Sequence, residues 1–295
     1  MGRTSSTGKS LLAILLFALV PAGHAATTIS LEHADAWGAN IGWVNWRADG
    51  VNGAVIGEYF CSGHIYGANV GWMSLGSGAP TDGRQYQNKS ASDFGVNVDD
   101  AGNLRGFAYG ANIGWVNFEE LGAPKVDLRT GKLSGLIYGA NVGWISLSNA
   151  VAFVQTDRVA PTPDSDGDGI PDAWELRHAA NLTTLTAKGD KDGDGFSDVQ
   201  EYLADTNPLE PADNLRITSF SPKPDRTTVT LTWTTKPTRF YEVQRSPRLG
   251  ADGSWSDLTG DALSPDGGAS TTKTFSEDAA AQRFYRVRAV RPLTP

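Results

Sequence analysis

The feature that most constrains the fold is a six-residue motif, Gly-Ala-Asn-(Ile or Val)-Gly-Trp, which occurs four times in the first half of the 295-residue chain. Successive copies are 29, 43 and 29 residues apart. A polar stretch at 76–92 accounts for the longer middle interval, and we interpret it as an inserted loop. Because a unit of this length cannot bury its own apolar face, the four units must pack against one another. The sequence therefore predicts a repeat-built antiparallel β domain at residues 26–150.

Each unit is predicted to be a short antiparallel β-meander. In the fourth unit we expect strands at 125–128, 133–138 and 142–147, where successive side chains point to opposite faces. Turns at 129–132 and 139–141 join these strands, because Gly and Asn tolerate the positive φ that tight turns require.

Tryptophan is concentrated in these repeats. Six of the nine tryptophans lie here: Trp37, Trp43, Trp46, Trp72, Trp115 and Trp144. One hypothesis is that they form a row of aromatic platforms for sugar rings. The other is that tryptophan fills the same core position in every unit, and fourfold recurrence at one position favours it. We therefore expect the repeated tryptophans to be buried. The motif itself resembles a repeat of exported, surface-associated bacterial proteins.

Alignment of the repeats also gives expectations for the single cysteine and for one histidine. Cys61 aligns with Leu104 and Leu133, which predicts a small buried apolar residue. One cysteine cannot form an internal disulfide, so stability must come from packing and bound ions. His64 aligns with Phe107, which indicates a packing role rather than catalysis.

Two twelve-residue segments, 164–175 and 190–201, place oxygen atoms at the spacing of a calcium-binding loop. Aspartates occupy positions 1, 3 and 5, glycine occupies position 6, a backbone carbonyl serves at position 7, and acidic residues occupy positions 9 and 12. The predicted ligands of the first loop are Asp164, Asp166, Asp168, Ile170, Asp172 and Glu175. Those of the second loop are Asp190, Asp192, Asp194, Phe196, Asp198 and Glu201. Five carboxylates and one carbonyl suit Ca²⁺ better than Mg²⁺.

This segment resembles bacterial thrombospondin type 3-like and dockerin-like calcium repeats. The resemblance lies in residues 166–172 and 192–198 and in Asp-Thr-Asn-Pro at 205–208. It implies an extracellular, calcium-stabilised spacer at 164–213, with two Ca²⁺ ions and a short helix after each loop. The chain differs from a true EF-hand pair, because a proline-containing linker at 151–163 stands where the first helix would be.

Alternating apolar residues return in the last part of the chain, 214–295. Val229 and Trp233 lie among threonines, and Tyr285 and Val287 alternate with arginines. This pattern is typical of half-buried antiparallel strands and predicts a C-terminal β-sandwich. The segment resembles a fibronectin type III or immunoglobulin-like domain, which implies a binding or spacer module.

Residues 1–25 have the three parts of a secretory signal peptide. Arg3 and Lys9 supply positive charge, residues 11–20 are apolar, and small residues precede the expected cleavage site. Ten apolar residues are too few to cross a bilayer, which needs about 20. We therefore expect an exported, extracellular or surface protein whose mature chain starts near Ala26, with no transmembrane segment.

Charge and the absence of motifs exclude several functions. The net charge of −8 arises from residues 164–213, where thirteen acidic and three basic residues give −10, while the rest of the chain gives +2. The chain has no basic patch, which argues against nucleic-acid binding. It has no nucleophile motif and no zinc-ligand spacing, so we expect no catalytic residues and no enzyme activity. The expected function is a calcium-stabilised structural or adhesion protein with an extracellular protein or glycan as partner. The alternative is a carbohydrate-binding accessory module of an extracellular enzyme system.

Overall fold

The computed structural model of the protein describes residues 26–249, 255–278 and 282–294. The predicted signal peptide at 1–25 lies outside these residues. Within them the chain is mainly β, and its two α-helices have seven residues each. The mainly β fold class predicted from the sequence is confirmed: a repeat-built antiparallel domain, a short loop-and-helix segment and a C-terminal pair of sheets.

Fourteen strands belong to the N-terminal domain. In chain order they are β1 (Ile29–Gly38), β2 (Gly42–Asn45), β3 (Val55–Ile56), β4 (Cys61–Ser62), β5 (His64–Gly67), β6 (Gly71–Ser74), β7 (Val96–Val98), β8 (Leu104–Gly110), β9 (Gly114–Asn117), β10 (Lys125–Val126), β11 (Leu133–Ser134), β12 (Leu136–Gly139), β13 (Gly143–Ser146) and β14 (Val154–Thr156). A short 3-10 helix, Glu120–Gly122, follows β9.

Eight of these strands form one closed, barrel-like antiparallel sheet. The pairing order is β1, β2, β5, β6, β8, β9, β12 and β13, and β13 pairs back to β1 through Trp37 opposite Ser146. Each repeat unit supplies one hairpin. The glycine after each turn, such as Gly42 or Gly143, has a φ of 76–80°, a conformation that side-chain-bearing residues rarely adopt. The units bury their apolar faces against one another, as their length requires.

The inside of the closed sheet is filled by side chains of moderate size. Each hairpin contributes one inward residue from each strand, and all eight are fully buried: Ala36, Val44, Ile65, Met73, Ala108, Val116, Ile137 and Ile145. The first and third units contribute small inward residues, and the second and fourth contribute large ones. Units on opposite sides of the closed sheet therefore have inward residues of similar size. Beneath this layer, Trp46 of the first unit contacts Phe118 of the third, with ring centroids 6.2 Å apart.

A ring of asparagine side chains joins the four hairpin turns. The Nδ2 atom of each asparagine donates a hydrogen bond of 3.0–3.1 Å to a backbone carbonyl of the adjacent unit. The four bonds run from Asn69 to Ile41, from Asn112 to Val70, from Asn141 to Ile113 and from Asn40 to Val142. Because the last bond returns to the first unit, the asparagine of the motif contributes to closure of the sheet.

The expectation that the repeated tryptophans are buried is wrong. Trp43, Trp72, Trp115 and Trp144 are 41–47% exposed and point outwards. Side chains alternate along each strand, so the inward position belongs to the next residue, such as Ile145 after Trp144. An eight-stranded closed sheet leaves an interior just wide enough for side chains to fill. The recurrence of tryptophan at the same position of every unit therefore marks a repeated outer surface of the sheet. Trp46, which lies after its strand, is buried.

The structure also differs from the expected linker at 151–163. Residues Val154–Thr156 form β14, which pairs with β1, and the side chains of Val154 and Thr156 are fully buried. The expectation for Cys61 is met, since it is fully buried and burial raises the pKa of its thiol to about 12. His64 is half-buried beside Trp72, with ring centroids 6.1 Å apart.

After β14, the described residues form two α-helices and six strands. They are α1 (Asp172–His178), α2 (Asp198–Ala204), β15 (Ile217–Pro222), β16 (Thr228–Thr234), β17 (Phe240–Ser246), β18 (Ser256–Asp257), β19 (Ser270–Ser276) and β20 (Phe284–Val290). The strands form two three-stranded antiparallel sheets, β15-β16-β19 and β18-β17-β20. Their shared core contains Val229, Leu231, Trp233, Tyr241 and Val243.

Candidate metal centre

Each acidic loop brings three aspartates together. In the first loop one carboxylate oxygen from each of Asp164, Asp166 and Asp168 lies within 4.8 Å of the other two. Asp190, Asp192 and Asp194 form the same cluster in the second loop. Three carboxylates at this distance repel one another unless a cation or protons compensate their charge.

Hydrogen bonds to the backbone hold each loop in shape. Asp164 accepts them from the N–H groups of Gly167 and Gly169, at 2.8 and 3.0 Å. Asp190 accepts equivalent bonds from Gly193 and Gly195, at 2.8 and 3.0 Å. These four glycines have φ between 75° and 97°, which explains why the sequence has glycine at these positions. A carboxylate has about four acceptor sites, so the first aspartate keeps capacity for a cation.

The last acidic residue of each loop is buried on the following helix. Glu175 on α1 is fully buried, and neither of its carboxylate oxygens has a hydrogen-bond partner among the described residues. Glu201 on α2 is 1% exposed, and its Oε2 likewise lacks a partner within the described chain. A buried, unpaired carboxylate is strongly unfavourable. Glu201 Oε1 accepts a 3.4 Å hydrogen bond from the Thr206 hydroxyl, so one of its oxygens is unpaired and both of those of Glu175 are. Beside the aspartate clusters, these free oxygens fit residues that coordinate a cation.

The pKa values reflect the same environment. Burial, and then the negative charges of Asp166 and Asp168, raise the pKa of Glu175 from 4.5 to about 8. Burial, followed by the charges of Asp192 and Asp194, raises the pKa of Glu201 to about 8 as well. A divalent cation would oppose both shifts, since it compensates the aspartate charges and favours the ionised carboxylate.

The carboxylates at position 9 close the loops. Asp172 accepts hydrogen bonds from the N–H and the hydroxyl of Ser165, at 2.7 and 2.5 Å. Asp198 accepts them from the N–H groups of Lys191 and Thr186, at 3.0 and 2.8 Å. Both oxygens of each residue are therefore engaged in holding the loop. Neither residue belongs to the aspartate clusters, which contain the carboxylates of positions 1, 3 and 5 of each loop.

Several residues that support the loops were not found from the sequence. Asp168 Oδ2 accepts a 2.9 Å hydrogen bond from the N–H of Ala187, between the two loops. In the second loop Asp194 Oδ2 accepts a 2.9 Å bond from the side chain of Asn214, where the C-terminal domain begins. An isolated alanine or asparagine belongs to no sequence motif. Its nearness to the loop along the chain is therefore the one sequence feature that could have suggested such a contact.

The helices fix this segment against the N-terminal domain. A shared cluster contains Trp174 of α1, Tyr202 of α2, and Tyr59, Phe60 and Tyr86 of the N-terminal domain. Tyr86 comes from the inserted loop, and its hydroxyl donates a 3.1 Å hydrogen bond to the carbonyl of Cys61. The insertion between the second and third repeats thus supplies part of the surface on which the helices pack.

An ion-pair network around the buried side chain of Arg239 joins all three parts of the chain, and we call it the junction. It contains Glu58 of the N-terminal domain, Asp205 at the end of α2, and Arg239 of the C-terminal domain. Arg239 Nη2 lies 3.3 Å from Glu58 Oε1 and donates a 2.9 Å hydrogen bond to the carbonyl of Tyr202. Arg239 Nε donates another to the carbonyl of Leu203, also at 2.9 Å. The acidic segment is therefore packed between the two β domains rather than extended between them.

These features define a mainly β protein that carries two loop–helix sites built from oxygen donors. A family model described as the bacterial TSP3 repeat matches residues 164–178 and 190–211. The match covers both acidic loops and supports the thrombospondin type 3-like resemblance of this segment. No curated protein and no solved structure matches the chain. Among the described residues, no helix combines the length and hydrophobicity that crossing a bilayer would require.

Proposed function

We propose that this is a non-enzymatic structural protein in which two calcium ions hold the acidic segment in place between the two β domains, and that it acts in adhesion or recognition outside the cell. The observation that carries the proposal is the pair of buried helix glutamates beside the aspartate clusters: both oxygens of Glu175 and Oε2 of Glu201 lack a hydrogen-bond partner among the described residues. Calcium fits better than a softer metal, because every candidate ligand is an oxygen.

Residues of the chain account for how calcium would stabilise the fold. The three aspartates and the helix glutamate of each loop would hold the ion, with the carbonyls of Ile170 and Phe196 as further oxygen donors. A bound cation compensates the repulsion among these carboxylates, so its binding energy becomes folding energy. Because Glu175 belongs to α1 and Glu201 to α2, a calcium ion that orders a loop also stabilises the helix that follows it.

Calorimetric titration of the native protein with calcium tests the proposal. We expect two ions per chain, with dissociation constants of about 10⁻⁴–10⁻³ M as in other extracellular modules. Asp168→Ala and Asp194→Ala should each remove one site. Asp261→Ala, which alters an exposed aspartate outside the loops, should leave both sites intact. The absence of binding heat for the native protein at millimolar calcium would refute the proposal.

The extracellular location rests on the predicted signal peptide and on the calcium-repeat resemblance. N-terminal sequencing of the protein recovered from culture medium or envelope fractions should give a start near Ala26. An intact Met1 in the cytosolic fraction would contradict export. The fibronectin type III-like assignment of the C-terminal domain also belongs to this proposal, and it is supported by two packed three-stranded antiparallel sheets.

A further inference from the structure

Eight exposed aromatic side chains surround the closed sheet, and we call them the aromatic belt. They form one cross-strand pair in each repeat unit: Trp37 with Trp43, Tyr66 with Trp72, Tyr109 with Trp115 and Tyr138 with Trp144. Each side chain is 39–47% exposed. Within each pair the ring centroids are 4.7–5.1 Å apart and the planes are inclined by 56–63°. The contact holds each indole in a fixed orientation before any ligand arrives.

Uncharged polar residues lie between neighbouring pairs. Across each seam between units, one belt residue is opposite an amide or hydroxyl side chain. The four partners are Asn45 opposite Tyr66, Ser74 opposite Tyr109, Asn117 opposite Tyr138 and Ser146 opposite Trp37. Each partner makes a hydrogen bond within its own unit, as Asn117 Oδ1 does with the N–H of Glu119. The amides and hydroxyls retain donor or acceptor capacity after these bonds. Asn45 makes the most bonds, since its Oδ1 also accepts from the N–H groups of Arg47 and Ala48, and it keeps one Nδ2 hydrogen.

We propose that the aromatic belt binds neutral glycans whose pyranose rings carry mostly equatorial hydroxyl groups. Such a ring has an apolar face of C–H groups and a polar rim. The exposed indole can cover the apolar face, while the amide or hydroxyl on the neighbouring strand can bond to the rim. The seam residues carry no formal charge, and Asp35 in the first unit accepts a 2.8 Å hydrogen bond from Asn45. The four seam positions thus match a neutral ligand in charge.

The closed geometry favours a small ligand unit over a protein partner. Opposite units of a closed sheet face in opposite directions, so a single flat partner reaches one unit or two adjacent ones. A stable protein interface buries about 800 Å² on each side in one continuous patch. A sugar ring needs only one aromatic pair and its polar neighbour. The four units therefore provide four separate sites, and a long glycan could be held by several copies of the protein.

The experiment titrates the full chain, in the presence of calcium, with cellohexaose, a neutral oligomer of β-linked glucose. Calorimetry should give up to four sites per chain. Trp72→Ala and Trp144→Ala should each remove one site or weaken it at least about fivefold, the lower end of the range for a ring stacked on one aromatic side chain. Trp72→Phe, which keeps a ring, should lose less. Trp255→Ala removes a tryptophan outside the belt and should bind like the native protein.

Thermal unfolding of each variant separates loss of binding from loss of fold. Binding heat that is absent for the native chain, or unchanged in both alanine variants, would overturn the proposal. So would tighter binding of an oligogalacturonate, because the proposal specifies a neutral ligand. Sedimentation provides the last comparison: self-association that is lost in the tryptophan variants, with no sugar binding, would assign the belt to a second copy of this chain.

Discussion

Arg239 and Glu58 lie 181 positions apart in the chain, yet Arg239 Nη2 is 3.3 Å from Glu58 Oε1. The Arg239 side chain is 3% exposed, and its other donors bind the carbonyls at the end of α2. One guanidinium therefore contacts the N-terminal domain, the acidic segment and its own C-terminal domain. The planar, multiply donating guanidinium suits this role, whereas an ammonium group would not reach all of these acceptors.

Removal of this guanidinium should be strongly destabilising. Arg239→Met keeps much of the side-chain volume but removes the guanidinium from Glu58 Oε1 and from the carbonyls of Tyr202 and Leu203. Glu58 Oε2 keeps the Tyr202 hydroxyl and Arg291, so the cost should lie near the lower end of the roughly 3–5 kcal/mol that breaking a buried pair costs. Urea denaturation measures the change in the free energy of unfolding. Lys273→Met is the control, because Lys273 pairs with Asp266 at 36% and 44% exposure, and a surface pair contributes at most about 1 kcal/mol. Equal effects of the two substitutions would contradict a structural role for the junction.

Truncation of a side chain should cost much more stability on the inner face of β13 than on its outer face. Ile145 is fully buried, so Ile145→Ala should cost about 2–5 kcal/mol of stability. Trp144 is 41% exposed, and Trp144→Ala should cost about 1 kcal/mol or less. Thermal unfolding of both variants checks the comparison. The reverse order would place tryptophan inside the closed sheet.

Local patterns predicted much of this molecule. The acidic loops could be located residue by residue, because their ligands lie within twelve consecutive positions and the turn geometry demands glycine. The hairpins could be placed for the same reason. The alternation of side chains along β13 also predicts that Trp144 and Ile145 lie on opposite faces of the strand. It does not say which of them is inside, since that depends on closure of β13 against β1, more than a hundred residues away.

Contacts between distant parts of the chain could not be predicted. Glu58 and Arg239 belong to no motif, so nothing in the sequence connects them. Val154 was assigned to a linker because the stretch around it is short and ends near prolines. It is buried nonetheless, because the N-terminal part of β1 extends beyond its hairpin and pairs with β14. The hydrogen bonds of Asp172 within its loop were not predicted, because an acidic residue at position 9 of a calcium loop can either coordinate the ion or hold the loop closed.

The two calcium sites should stabilise different parts of the protein. Asp194 is bonded to Asn214, and Glu201 belongs to α2, whose final carbonyls bind Arg239. Asp194→Ala should therefore increase hydrogen exchange at the end of α2 and around Arg239. Asp168→Ala should instead increase exchange around Ala187 and the first loop.

Mass spectrometry of peptides from both variants, in calcium, measures these patterns. Asp261→Ala provides the baseline for an exposed aspartate outside the loops. Identical patterns in Asp168→Ala and Asp194→Ala would contradict separate roles for the two sites.

Without calcium, stability should fall as pH rises from 7 to 8.5. The pKa values of Glu175 and Glu201 are about 8 in the folded protein and near 4.5 when unfolded, so the folded state holds more protons across this interval. Burial lowers the pKa of His178, and its opposite contribution is essentially complete above pH 7. Urea unfolding in chelator should show the decline, and calcium should abolish it by binding the ionised carboxylates. The double variant Glu175→Gln/Glu201→Gln should lack the decline. An unchanged slope in that variant would show that other groups cause it.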